Sequence, residues 1–182
     1  MTTWQWAFEH PSYSPVAASS TSSDLGAYID ASNPASRLSF SLVKEIATHL
    51  SNSLVRSYGL VPGDTVSLFA SNSIYYPVAT WAALRVGGCV NGASPAYGVE
   101  EMVHAMTTAN SKIIFTLPSC LKVAAQAAEI VGLGKERVVL LEGSAEGTRN
   151  LQELIDEGKH LEKVPMWSIP AGKTNKDVCG YV

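Results

Sequence analysis

The feature that most constrains the fold is an alternation of short apolar segments with longer segments of helical period between residues 41 and 157. The apolar segments have few polar positions, which is typical of strands buried on both faces of a parallel sheet. The connections are only a few residues long, so βαβ units and an α/β fold with a parallel, helix-covered sheet are predicted. The predicted strands are residues 65–70, 89–92, 112–116 and 137–141. The predicted helices are residues 41–58, 75–86, 98–108, 119–131 and 151–157.

Three residues give local signals for where these helices begin and end. Gly59 is expected to cap the carboxyl end of the first helix, because glycine adopts the left-handed conformation without a steric penalty. Pro77 fits only in the first turn of the second helix, where the missing N–H group is not needed. Ser119 is expected to cap the amino end of the fourth helix.

The two ends of the chain differ from its middle in amino-acid composition and in hydrophobic pattern. Residues 11–24 are rich in Ser, Ala and Pro and offer little to bury, so we expect an arm or tether over residues 1–37. The α/β subdomain is then expected to occupy residues 38–182. Residues 177–182 (DVCGYV) start with an acidic residue and continue as a mostly apolar run, which predicts the beginning of another strand.

Charge and cysteine usage exclude several classes of protein. The net charge is −3 and no cluster of Lys or Arg is present, so we expect no nucleic-acid partner. Three cysteines (Cys89, Cys120 and Cys179) are odd in number and far apart. This pattern is typical of free thiols in a reducing compartment.

The sequence also carries an expectation about location. The start of the chain has no basic region and no apolar core, and Arg37 is its first basic residue, so no secretory signal is expected. No apolar run approaches the roughly 20 residues that a membrane-spanning helix needs. We therefore expect an intracellular, cytoplasmic protein without a membrane span, and a peroxisomal address stays open as an alternative.

Several short motifs fail on spacing. Gly172-Lys173-Thr174 lacks the glycine that a Walker A loop needs five positions earlier, where Trp167 stands. Gly132 and Gly134 lack the third glycine of a dinucleotide-binding fingerprint and follow a helix, so a helix cap and turn is the better interpretation. Gly143-Ser144 is no nucleophile elbow, because no glycine follows two residues after the serine. We expect no catalytic residue and no metal ligand in this chain.

A resemblance to a known family rests on motifs in a fixed order. Residues 38–120 resemble the opening of the adenylate-forming (AMP-binding) superfamily, closest to its 4-coumarate–CoA ligase and acyl-CoA synthetase branch. The motifs that carry this resemblance are LSF at 38–40, GLVPGDTV at 59–66, ASNS at 70–73, WAALRVGG at 81–88 and SPAYGVEE at 94–101.

The resemblance implies a fold, an activity and a set of cofactors. The chain would be the first subdomain of the N-terminal domain of an ATP-dependent acyl- or aryl-CoA ligase. Such a ligase needs ATP, Mg²⁺ and CoA, and in this family residues 177–182 would lead directly into the loop that holds the ATP phosphates. We therefore expect a truncated chain that holds none of these cofactors alone and is inactive alone.

The resemblance also implies one ligand-binding loop. In related acyl-CoA synthetases the loop that matches residues 92–97 is similar to part of the CoA-binding surface, so Ser94, Pro95 and Ala96 are the CoA candidates, with Tyr97 available for stacking. The position suits a ligand, because ligands bind outside the carboxyl ends of parallel strands. The alternative is a plain strand-to-helix turn without a ligand.

Truncation carries a prediction about partners. The stripe Leu42, Ile46, Leu50 and Leu54 on the first helix would be partly open, because the segments that cover it in the family are missing. The remainder of the ligase or a second copy of the chain, and thus self-association, is the expected partner. Two alternatives stay open: a naturally shortened, non-catalytic relative that acts as a binding or regulatory module, and an unrelated nucleotide-binding α/β domain.

Overall fold

A computed structural model describes residues 1–14, 16 and 28–173 of the chain. The strand expected at residues 177–182, the thiol of Cys179 and most of the expected tether lie outside the described residues.

The centre of the structure is a four-stranded parallel sheet in the order β4-β3-β5-β6. Its strands are β3 (Thr65–Phe69), β4 (Cys89–Ala93), β5 (Ser111–Thr116) and β6 (Val138–Leu140). A short antiparallel hairpin, β1 (Tyr28–Ile29) with β2 (Arg37–Leu38), precedes the sheet. All four predicted strands are thus present within one or two residues, and they pair in parallel as predicted.

Five helices cover both faces of this sheet. They are α1 (Phe40–Arg56), α2 (Tyr76–Arg85), α3 (Val99–Ala109), α4 (Leu121–Ile130) and α5 (Leu151–His160). One face packs against α1, α2 and α5, and the other packs against α3 and α4. The predicted α/β fold with a parallel, helix-covered sheet is confirmed.

The helix ends follow the sequence signals in part. Gly59 has φ +70°, and the N–H groups of Gly59 and Leu60 donate to the carbonyls of Val55 and Leu54, which is a Schellman cap. Pro77 stands in the first turn of α2, as expected. The prediction that Ser119 caps α4 is wrong, because α4 begins after Cys120 and has no side-chain cap.

Backbone turns take the place of the Ser119 cap. The N–H group of Cys120 donates to the carbonyl of Leu117 at 2.9 Å, and that of Leu121 points to the carbonyl of Pro118 at 3.4 Å. These donors at the start of α4 are therefore already satisfied without a serine hydroxyl.

The first residues of the chain differ from the expected tether. Trp4 and Phe8 are 1% and 3% exposed and belong to the hydrophobic core. The ring of Phe8 meets the ring of Trp81 edge-on with a centroid distance of 4.9 Å. Lys44 of α1 holds the same segment by donating to the carbonyl of Phe8 at 3.1 Å. Residues 4–8 are therefore an integral layer of the fold, while the boundary at residue 38 stays a prediction.

The stripe on α1 is mostly covered within the chain. Leu50 and Leu54 are fully buried, Ile46 is partly buried, and Leu42 is 38% exposed. The cover comes from α2 and α5, which both pack along α1. The expectation of an open stripe is therefore corrected for Leu50 and Leu54, because α5 supplies the apolar partner that truncation was expected to remove.

Helix α5 lies so close to α1 that only glycine fits at the contact. A Cβ atom at Gly158 would overlap the His49 carbonyl oxygen, far inside van der Waals contact distance, and would lie 2.9 Å from Ser53 Oγ. Polar side chains of α1 then bind the α5 backbone: Asn52 Nδ2 donates to the Gly158 carbonyl at 3.0 Å, and Ser53 Oγ donates to the Leu154 carbonyl at 2.6 Å.

We predict that Gly158→Ala destabilises the fold. Alanine is favoured over glycine inside a helix by roughly 1 kcal/mol, but the new methyl group meets backbone atoms that cannot rotate away. Forcing the helices apart should cost about 1–3 kcal/mol, so the net change in the free energy of unfolding is a loss. Urea unfolding measures it, with Lys159→Ala as the exposed neighbour control. A Gly158→Ala chain at least as stable as wild type would contradict the close contact.

We also predict that acid weakens the fold through His49. Burial lowers the pKa of His49 from its ordinary value of 6.5, and Lys159 and Lys163 lower it further, against an opposing effect of Glu45. Below about pH 6.5 the unfolded chain therefore binds a proton that the folded chain still excludes, and the free energy of unfolding falls as the pH drops.

Urea midpoints at about pH 7.5 and about pH 5.5 measure this effect across the His titration range. His49→Gln should lose less stability between the two conditions than the wild-type chain does. An equal loss in both proteins would assign the pH dependence to other groups.

Candidate functional site

The carboxyl ends of the four parallel strands meet at one edge of the sheet, and the connections there leave in different directions. β3 leads into α2 on one face, whereas its neighbour β5 leads into α4 on the opposite face. Such a point, where adjacent connections diverge, leaves a crevice in which ligands of open α/β sheets bind. This edge is the candidate functional site.

Hydrogen bonds fix the floor of the crevice. Thr116 at the end of β5 is fully buried, and its hydroxyl donates to the carbonyl of Phe69 at the end of β3 at 2.7 Å. The Thr116 carbonyl accepts the N–H group of Leu141, after β6, at 2.8 Å. The ends of β3, β5 and β6 are therefore held in register, which gives the surrounding loops a rigid base.

The predicted CoA loop lies at this edge, between β4 and α3. All four of its residues are exposed, with Tyr97 at 36%. Within the loop, Ala96 N–H donates to Ser94 Oγ at 3.3 Å and Tyr97 N–H donates to the Ser94 carbonyl at 3.0 Å. The structure thus brings the four predicted residues together in one compact turn, with two of their backbone donors already used.

Acidic side chains flank this loop. Glu101 Oε2 accepts the N–H group of Gly98 at 2.7 Å and so caps the amino end of α3. Glu100 stands beside it in the first turn of the same helix. A cavity of about 380 Å³ lies against this surface and is lined by Tyr97, Glu100, Glu101, His104 and Ala105. An anionic group at the start of α3 would meet two carboxylates.

A second cavity at the same edge has a volume of about 710 Å³. We call it the edge cavity. It lies between the β1–β2 hairpin and the loops that follow β3 and β6. Its walls are formed by Tyr28, Ile29, Asp30, Ala31, Ser32, Asn72, Ser73, Ile74, Tyr76, Pro77 and Glu142.

Sequence reasoning missed the edge cavity. Asn72 and Ser73 belong to the ASNS motif, which carries the family resemblance but does not by itself indicate a ligand. Tyr28 and Asp30 fall in the segment that was interpreted as a tether, roughly 40 residues before Asn72 along the chain. The only available signal was the position of Asn72 and Glu142 just after predicted strands, where side chains gather at one edge of a parallel sheet.

Among residues 1–14, 16 and 28–173, no group of three or more His, Cys, Asp or Glu side chains is placed to hold a metal ion. Cys89 and Cys120 are buried, and neither forms a disulfide within the described part of the chain. None of the helices in the described residues is both long and apolar enough to cross a membrane.

Comparison with known proteins agrees with this architecture. The profile of the AMP-binding enzyme family matches residues 16–177, which is most of the chain. The chain therefore belongs to the AMP-binding enzyme family, and the resemblance seen in its motifs is confirmed.

Named relatives are CoA ligases. A phenylacetyl-CoA ligase of Aspergillus niger is 32% identical over 111 residues, which cover 61% of this chain and 20% of that protein. A 4-coumarate–CoA ligase-like protein of Arabidopsis thaliana is 26% identical over 152 residues, which cover 83% of this chain and 26% of that protein. The chain thus spans about a fifth to a quarter of the length of these two relatives.

A solved structure shows the same fold. The luciferase-like enzyme of the mealworm Zophobas morio superposes on all of this chain and on 39% of its own length, with a TM-score of 0.73 and 19% identity. At this identity the likeness concerns the arrangement of strands and helices.

Proposed function

We propose that this chain forms one parallel-sheet lobe of an ATP-dependent acyl- or aryl-CoA ligase. The observation that carries the proposal is the family match over residues 16–177 on a parallel sheet with an open carboxyl edge. The CoA ligases among its relatives support thioester formation as the reaction class. ATP, Mg²⁺ and CoA are the proposed cofactors of the whole enzyme.

The proposed reaction has two displacement steps. A carboxylate oxygen attacks the α-phosphorus of ATP, the bond to the β-phosphate breaks, and pyrophosphate leaves with its electron pair. The sulfur of CoA then attacks the acyl carbon of the acyl-adenylate, gives up its proton and displaces AMP. Both steps develop negative charge that cations and N–H donors must stabilise.

The residues at the candidate site support the proposal that this lobe is inactive alone. The linings of the edge cavity and of the 380 Å³ cavity include Asp30, Glu100, Glu101 and Glu142, and neither of these linings includes Lys or Arg. Carboxylates repel the triphosphate and the acid substrate. The cationic part of the machinery is therefore proposed to come from other residues of the enzyme.

We predict that the isolated chain releases no pyrophosphate from ATP when it is offered a panel of aryl and fatty acids with CoA. The phenylacetyl-CoA ligase relative, assayed in parallel with phenylacetate, serves as the positive control. Turnover that follows the pure chain through successive purification steps would overturn the proposed inactivity.

The loop at residues 94–97 is proposed to contribute to the CoA surface of the whole enzyme. Tyr97 is half-open to solvent and borders the 380 Å³ cavity, so its ring is available to stack on an adenine base. Glu100 and Glu101 determine how CoA is oriented, because their carboxylates repel the CoA phosphates from the start of α3.

We predict that CoA shifts the backbone amide signals of residues 94–97 in an NMR titration, and that Tyr97→Ala weakens the response. Tyr13→Ala removes an exposed tyrosine elsewhere and is the matched control. Amides that stay unmoved at millimolar CoA would remove this loop from the proposed site of the isolated chain.

One observation favours a second candidate, a non-catalytic binding or regulatory module. Leu50 and Leu54 of α1 are buried by the chain's own helices, so the hydrophobic core closes without further segments. A self-contained fold is what a stand-alone module requires. The reading frame after residue 182 separates the two candidates: a Ser/Thr/Gly-rich loop there favours the ligase lobe, and a stop codon favours the module.

Self-association remains a proposal, and fewer exposed residues of the α1 stripe support it than the sequence predicted. Leu42 is the exposed member of the predicted stripe, at 38%. A single leucine offers far less area than the roughly 800 Å² per partner that stable interfaces bury. The remainder of the ligase is therefore the favoured partner over a second copy of the chain.

A further inference from the structure

The edge cavity is built like a small-molecule site, yet its charge does not suit the substrates of the proposed reaction. Its volume of about 710 Å³ lies within the roughly 300–1,000 Å³ of typical ligand pockets. Its lining mixes aromatic, aliphatic, amide, hydroxyl and carboxylate groups. No Lys, Arg or His is part of that lining.

Two carboxylates line the cavity, one from the hairpin and one from the loop after β6. Asp30 in the hairpin is held in place, because its Oδ1 accepts the N–H groups of Ser32 at 2.8 Å and Asn33 at 3.3 Å. Glu142, after β6, is exposed and makes no hydrogen bond or ion pair within the described part of the chain. One carboxylate is therefore fixed and the other is available to bind a ligand.

An aromatic wall completes the cavity. The Tyr28 hydroxyl accepts a hydrogen bond from Trp81 Nε1 at 3.0 Å, which fixes the position of the Tyr28 ring. Tyr76 lines the same cavity, and its hydroxyl lies so close to Gly92 that a Cβ atom there would be at 3.2 Å. Aromatic faces beside carboxylates attract organic cations both by ring quadrupole and by charge.

We propose that the edge cavity binds a small organic cation, a primary ammonium group carried on an aromatic or aliphatic body. The ammonium group lies against Glu142 and Asp30, where it forms charge-assisted hydrogen bonds. The body packs against Tyr28, Ile74 and Pro77. The same carboxylates exclude acids and phosphates, so the cavity serves a ligand other than ATP, CoA or the activated acid.

Phenethylamine, which is protonated at neutral pH, and 3-phenylpropionate form a matched pair of probes for the full chain. Phenethylamine should shift the amide signals of residues 28–32, 72–74 and 142, whereas the acid of similar shape should leave them unchanged. Binding of the amine should weaken with added salt, since the attraction is partly electrostatic.

Two variants test whether phenethylamine binds in the edge cavity. Glu142→Gln should weaken amine binding about tenfold, the change expected when one charge-assisted hydrogen bond is lost. Glu146→Gln removes an exposed carboxylate from the same connection outside the cavity, and it should bind like wild type. Because both side chains are exposed, both variants should melt like wild type.

Three results would overturn the proposal. They are equal binding of the amine and the acid, amine-induced shifts that lie away from the edge cavity, and an affinity that Glu142→Gln and Glu146→Gln lower equally. The last result would indicate attraction by net charge alone.

Discussion

The contact between α1 and α5 is the constraint on which the rest of this structure depends. A parallel sheet is apolar on both faces, so each face must be covered by helices before the strands are stable. On one face part of that cover comes from α5, which Gly158 lets approach the α1 backbone directly. Two buried polar residues of α1, Asn52 and Ser53, satisfy α5 carbonyls at this contact. The approach buries Leu54 while these two side chains satisfy carbonyl groups of α5.

The same two-sided cover creates the candidate site. Right-handed crossovers place α2 on one face and α3 and α4 on the other, because the chain moves first to one side of β3 and then back to the other side. The crevice at the carboxyl edge follows from that change of direction. A buried hydroxyl and amide network joins the strands below it: Ser67 Oγ contacts Ser111 Oγ at 2.6 Å and accepts from Asn91 Nδ2 at 3.1 Å. The edge is therefore carried by a rigid sheet, which is what a binding site requires.

The sequence was sufficient to predict those elements whose local pattern agrees with their burial. It was insufficient to predict contacts between segments that are far apart along the chain. Runs such as residues 112–116 predict a buried strand from their own composition, and β5 lies there. The role of Trp4 was not predictable, because a tryptophan at position 4 becomes a core residue through contacts with residues far along the chain, such as Trp81. The edge cavity was missed for the same reason: its hairpin wall and its β3 loop are neighbours in space only. Ser119 failed as a cap because backbone turns had already satisfied the donors at the start of α4.

Negative charge at the carboxyl edge of the sheet supports both the proposed inactivity of the lobe alone and the proposed ammonium ligand. Adenylate chemistry needs positive charge around phosphate, yet the described edge presents Asp30, Glu142 and the Glu100–Glu101 pair. If this lobe held ATP by itself, those carboxylates would oppose binding at short range, where the dielectric is lower than in water. We propose a division of labour on that basis, in which cationic residues from elsewhere in the enzyme face the acidic edge that this chain supplies. The same acidity underlies both the proposed inactivity of the lobe alone and the proposed preference of the edge cavity for an ammonium group.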